Sequence, residues 1–127
     1  MSDGYCKFVA GSSAKLKIGR GTYFNSGCNI GALESVTIGE QCLFGPNVCV
    51  FDNNHDFDAG GVKFTNNTSP VTIGDRCWLA SNVVVLKGAS IGNNCVIGAG
   101  CVIKGNIPDG SIVTCNNDLK IKTIVNK

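Results

Sequence analysis

Aliphatic or phenylalanine residues recur at every sixth position along most of this chain. Counting from Ile18, they stand at Phe24 and Ile30, then at Ile38, Phe44 and Val50, and again at Ile73, Leu79, Val85, Ile91, Ile97 and Ile103. A helix needs apolar spacings of three and four, and a half-buried strand alternates by two throughout, so neither template accounts for a unit of six. Short strands separated by turns do account for it. Three units close one triangular coil, and successive coils pair in register about 4.8 Å apart with like residues stacked inside. The twelve positions therefore predict four coils of an all-β, parallel β-helix, with the residues before Ile18 adding part of another.

Glycine follows the stacked residue at Gly19, Gly31, Gly39, Gly45, Gly74, Gly92 and Gly98, where a tight corner is expected. Four residues after the stacked position come small side chains: Thr22, Cys28, Cys42, Val48, Cys77, Val83, Ala89, Cys95 and Cys101. Eight cysteines in 127 residues raise a disulfide scaffold or a zinc site. The chain has no C-x-x-C pair and one histidine, however, and five of the eight cysteines fall on the small position. A free thiol there packs as a small hydrophobe. No metal is expected.

With 43% hydrophobic and 16% charged residues, the chain is apolar enough to bury a core. Its length suits one domain, 1–127, with an inserted loop at about 52–70. The net charge of +2 is scattered, which gives no support for a nucleic-acid or membrane-surface partner. Met1-Ser2-Asp3 opens without a basic segment followed by an apolar one, and no stretch reaches the roughly 18 apolar residues of a membrane span. A cytoplasmic location is expected.

The period breaks twice. Ile30 to Ile38 is eight residues, which places two extra residues near Leu33 and Glu34. Val50 to Ile73 is a longer excursion holding Asp52-Asn53-Asn54-His55-Asp56-Phe57-Asp58, then Gly60-Gly61, and ending in Thr68-Ser69-Pro70. A loop thrown out of a regular stack is a place to seek function. Its histidine suits proton abstraction from a hydroxyl, since an unperturbed imidazole is largely neutral near pH 7. Asp52, Asp56 and Asp58 are candidates to orient the ring. A calcium loop starting at Asp52 fails, because Phe57 stands where glycine is needed and Lys63 where the closing glutamate belongs. Near the other end, Pro108 and Asp109-Gly110 are expected to stop the helix and let Ser111 to Thr114 fold back over it.

Several segments together resemble a known family. They are Ile18-Gly19-Arg20-Gly21-Thr22-Tyr23-Phe24-Asn25, Val36-Thr37-Ile38-Gly39 through Phe51-Asp52-Asn53-Asn54-His55, Val71-Thr72-Ile73-Gly74-Asp75-Arg76-Cys77-Trp78-Leu79-Ala80-Ser81-Asn82, and Val96-Ile97-Gly98-Ala99-Gly100. They are similar to the hexapeptide-repeat acyltransferases, in particular the galactoside and maltose O-acetyltransferases and related enzymes acting on sugars of surface polysaccharides. The resemblance runs from Ile18 to about Pro108.

It implies a left-handed helix, acetyl-CoA as co-substrate, and a homotrimer with sites between subunits. His55 matches the catalytic base and Asn25 an acceptor-binding asparagine. Glu34 is the nearest acid to a substrate position that falls on Leu33, and Asp52 at the loop entrance joins the acceptor-binding set. Ser81, Ala99 and Lys104 match residues lining the CoA groove, and Trp78, expected to point outward, is read either as flanking that groove or as packing against another subunit. Lys120 and Lys122 are further candidates for CoA phosphates. An acid-bearing helical segment of those enzymes has no counterpart here, and Lys104-Gly105 stands where a Thr-Lys pair is expected, which leaves the acceptor open. The rival readings are a sugar-nucleotide N-acetyltransferase and a non-catalytic β-helix scaffold.

Overall fold

The computed structural model describes residues 4–116. Residues two apart in a strand share a face, so an apolar residue beside polar ones on each side of a coil turns one row inward. The first coil contains β1 (Lys7–Ala10), β2 (Lys15–Ile18) and β3 (Tyr23–Phe24), and the second β4 (Asn29–Ala32), β5 (Ser35–Ile38) and β6 (Leu43–Phe44). β7 (Cys49–Phe51) opens the third. An excursion, β8 (Asn53–Asp58) and β9 (Gly61–Thr68), precedes its other two strands, β10 (Val71–Ile73) and β11 (Trp78–Leu79). β12 (Val84–Val85), β13 (Ser90–Ile91) and β14 (Val96–Ile97) form the fourth coil. β15 (Val102–Ile103), β16 (Asn106–Ile107) and β17 (Ile112–Val113) form the fifth.

These strands collect into three parallel sheets of five: a first, β1-β4-β7-β12-β15; a second, β2-β5-β10-β13-β16; and a third, β3-β6-β11-β14-β17. The helix thus has five coils, one more than the repeat count predicts. Each sheet stacks one inward row: Phe8, Ile30, Val50, Val85 and Ile103 in the first, Ile18, Ile38, Ile73, Ile91 and Ile107 in the second, and Phe24, Phe44, Leu79, Ile97 and Val113 in the third. All twelve repeat positions lie in these rows. Eleven are buried, while Ile18, in the end coil, is 37% exposed. Phe8, Phe24 and Phe44 carry the core toward that end, with ring centroids 5.0 and 4.6 Å apart.

Two expectations need correction. The turn at Pro108 to Gly110 does not end the helix, because β17 continues the third sheet in register on β14. Gly110 takes φ 72° there, as Gly21, Gln41, Arg76 and Asn94 take φ between 55° and 75° in the coils before it, so the turn is one more repeat of the same corner. The glycines after the stacked residues also serve another purpose than turning. None of the seven has a positive φ. A Cβ on Gly39 would instead lie 2.6 Å from the carbonyl carbon of Gly74, so six of these glycines let backbones of adjacent coils approach, while Gly31 makes room for the Phe51 ring.

The cysteines of the small position are all buried. Cys42, Cys77 and Cys95 stack along one corner, their thiols donating to the carbonyls of Gly74, Gly92 and Pro108 at 3.1, 3.0 and 3.1 Å. Burial pushes the Cys28 thiol up to about 11, in keeping with an inert packing role. Cys101 departs from the expectation of free thiols and is joined to Cys115. No cluster able to hold a metal occurs among the described residues. No helix among them is long and apolar enough to cross a membrane.

Candidate active site

The excursion between β7 and β10 is an antiparallel hairpin. Polar and glycine-rich residues at its far end make the turn: Asp58 accepts the N–H of Gly60 at 2.8 Å and pairs with Lys63 at 2.9 Å, and Gly61 takes φ 112°. Asn54 faces Asn67, His55 faces Asn66 and Phe57 faces Val62, with an irregularity between His55 and Phe57. The hairpin leaves and re-enters the stack at one point, where the Ser69 N–H donates to the Asp52 carbonyl at 2.9 Å.

Asp52 fixes this junction from inside. Its side chain occupies an inward position and is fully buried. It accepts the N–H groups of Leu33, Glu34 and Ser35 at 2.9, 2.8 and 2.7 Å and the Asn53 amide at 3.0 Å. The first two N–H groups belong to the two-residue bulge of the coil before and the third to the start of β5, so one carboxylate satisfies a corner that has lost its regular partners. Burial alone would raise its pKa, but the Asn53 amide and the three peptide N–H groups together hold the carboxyl below the usual carboxylate range. Asp52, expected at the acceptor, thus has a structural role at this junction and is not among the residues lining the cleft that the hairpin encloses.

Above the first sheet the hairpin encloses a cleft of about 430 Å³. Lys7 and Val9 of β1, Asn29 and Gly31 of β4 and Phe51 of β7 form its floor, and Asn53, His55 and Asn66 of the hairpin form its wall. Gly31 keeps the floor low, since a Cβ there would stand 2.8 Å from the Phe51 ring. The His55 ring meets Phe64 edge-on at 6.4 Å. No carboxylate is hydrogen-bonded to it among the described residues, and each proposed partner is engaged elsewhere. Asp52 holds the bulge, Asp56 accepts from Thr65 at 2.7 Å and from Asn67, and Asp58 holds the turn.

The other candidate residues lie apart from this cleft. Asn25 donates its amide to the Phe44 carbonyl at 2.9 Å, which also takes its own N–H, and it sits at the corner between the third and first sheets. Ser81 and Ala99 occupy that same corner in later coils, where the Ser81 carbonyl takes the Gly100 N–H at 2.9 Å. Lys104 sits at the corner between the first and second sheets. Trp78 is 50% exposed on the outside of the third sheet, between Leu43 and Val96. Glu34 is near the hairpin, where it accepts the Thr68 hydroxyl at 2.7 Å. One chain thus joins His55 to the cleft but does not bring Asn25, Ser81, Ala99 or Trp78 to it. Lys120 and Lys122 lie outside the described residues. Sequence reasoning missed Lys7, Asn29 and Asn66, because outward positions of a β-helix follow no period. Asn53 and its neighbours were visible only as part of the His55 segment.

Residues 70–105 match the family model for the bacterial transferase hexapeptide of six repeats. The chain is 36% identical over 124 residues to the Escherichia coli K12 protein WbbJ, named for an O-acetyl transfer in lipopolysaccharide biosynthesis, covering 84% of this chain and 63% of that protein. A maltose O-acetyltransferase from Clostridium difficile 630 superposes with a TM-score of 0.69 at 28% identity, covering 98% of this chain and 71% of the other. A galactoside acetyltransferase in complex with coenzyme A does so with a TM-score of 0.68 at 30% identity, over 87% of this chain and 57% of the other. The chain spans less than two thirds of the length of the first and third of these proteins. With five coils of stacked six-residue units and these matches along most of its length, the chain belongs to the hexapeptide-repeat transferase family.

Proposed function

We propose that this chain is an acetyl-CoA-dependent O-acetyltransferase that acylates a hydroxyl of a sugar or saccharide precursor, with His55 as general base. The observation that carries the reading is the single imidazole of the chain on the wall of a cleft whose other neutral polar side chains are asparagines. Amides offer both donors and acceptors, which suits a polyhydroxylated ring. In the reaction the acceptor oxygen attacks the acetyl carbonyl carbon while His55 takes the hydroxyl proton. The tetrahedral intermediate then collapses, the C–S bond breaks, and the imidazolium returns the proton to the departing thiolate. A peptide N–H near Ser81 is the donor we assign to the oxyanion.

Ser81 and Ala99 stand at a different corner from the His55 hairpin, which supports a site completed by a second copy in a homotrimer. The groove for CoA is then built from Ser81, Ala99, Trp78 and Lys104, with Asn25 and Glu34 toward the acceptor. The relatives' names support a saccharide acceptor of the polysaccharide-precursor class. A cytoplasmic site has acetyl-CoA at hand.

The test is CoA release from acetyl-CoA with a panel of sugars and amino sugars, followed by hydroxylamine treatment of the product, which cleaves esters and spares amides. An ester product is expected. Turnover of no acceptor, or of amines alone, overturns the reading. Mass in solution tests the assembly, and a clean monomer removes the shared groove. Gly31→Val probes the cleft floor: its side chain collides with the Phe51 ring at a cost of about 1–3 kcal/mol unless the ring swings into the cleft. The expected result is a rise of about tenfold in acceptor KM with little change in the KM for acetyl-CoA.

A further inference from the structure

The charges around the cleft point to the kind of saccharide it takes. Lys7 is the one lysine or arginine among its lining residues, and no aspartate or glutamate lines it. The nearby acids are held by other groups: Asp52 by the bulge N–H groups, Glu34 by Thr68, Asp56 by Thr65 and Asn67, and Asp58 by Lys63. Lys7 itself makes no ion pair among the described residues. It points outward from β1 in register with Asn29, on the same floor that His55 faces across the cleft. Val9, Leu33 and Phe51 beside it are apolar, which strengthens an ionic contact relative to open water.

We propose that the acceptor is anionic, a saccharide whose carboxylate or phosphate is held by the Lys7 ammonium while a ring hydroxyl meets His55. This rests on the acetyltransferase reading and makes Lys7 the residue that sets specificity. An ammonium is a compact point charge without the fixed fork of a guanidinium, so it accepts either anion. The asparagines Asn29, Asn53 and Asn66 then serve the neutral hydroxyls between the two ends.

The experiment compares kcat/KM for galacturonate and for galactose 6-phosphate with that for galactose, in the unaltered chain and in Lys7→Gln and Lys7→Arg. The expected ratio of anionic to neutral acceptor is about tenfold or more, the scale of one charge-assisted hydrogen bond. Lys7→Gln brings it toward one through KM, Lys7→Arg restores it, and added salt lowers it. The better of the two anions identifies which group the site reads. A ratio at or below one in the unaltered chain, or a ratio that Lys7→Gln leaves in place, overturns the proposal. A second arm measures binding of both anionic sugars by saturation-transfer NMR to His55→Ala, with and without Lys7→Gln. If binding depends on Lys7 but no sugar of either charge is acetylated by the unaltered chain, the anion site stands and the acetyltransferase reading falls. If neutral sugars alone are acetylated, the reading stands and the anion site falls.

Discussion

Replacing His55 with alanine is expected to lower kcat for acetyl transfer by about 10²–10⁴-fold, the usual contribution of a positioned general base. It is the only histidine in the chain, so no second imidazole can take its place. The loss should appear in kcat, because the ring is asked to move a proton rather than to hold the sugar. His55 is exposed on the hairpin and touches Phe64 alone among aromatic neighbours, so the variant should melt with the unaltered protein. Steady-state CoA release checks the first statement and thermal denaturation the second. An alanine variant retaining more than a tenth of the activity would sink the assignment.

The second large effect is on stability. Asp52→Ala strands the N–H groups of Leu33, Glu34 and Ser35 in a buried corner. Each buried donor left without a partner costs about 1–3 kcal/mol, so three together take a large part of the roughly 5–15 kcal/mol that holds a domain together. Asp52→Asn should lose less, since one amide oxygen remains an acceptor while the NH₂ confronts a peptide N–H. Urea denaturation at neutral pH measures both, and a loss under 1 kcal/mol for the alanine variant would refute the structural role.

The same carboxylate gives a pH signature. Its folded pKa lies below its ordinary value of 3.8, so its stabilisation is complete at pH values well above 3.8 and is lost as the pH falls through the folded value. Stability curves of the unaltered protein and Asp52→Ala should therefore converge in acid below that point. Parallel curves would show that the carboxylate is not the group responsible.

The period of six was enough to place every stacked residue from Ile18 to Ile103, because burial of one row per sheet imposes a pattern that a sequence must carry. In the first coil Ile18 and Phe24 were counted, and part of a coil was expected before Ile18, but Phe8 was not picked out. Ten residues, not six, separate Phe8 from Ile18, so the period does not reach it. The last coil was misjudged because Pro108 looks like a stop, although its turn repeats the corner geometry of earlier coils.

In the site, His55 could be picked out by its rarity and its place in the break of the period. The structural role of Asp52 could not be read, because its partners lie 17 to 19 residues earlier and only the stacking of coils brings them to it. Lys7 and Asn29 were equally hidden. They become neighbours of His55 only once the hairpin is laid over the first sheet.

The closure of the hairpin at Ser69 and Asp52 has an evolutionary consequence. Val50 pairs with Ile30 and Val85, and Ile73 with Ile38 and Ile91, as though no residues intervened between β7 and β10. The excursion is therefore an interchangeable cassette on a chassis that does not register its length. Doubling such a loop costs only about 0.6 kcal/mol of closure entropy. New acceptor preferences can then arise by rewriting the cassette while the stacked rows, and the stability they confer, stay as they are.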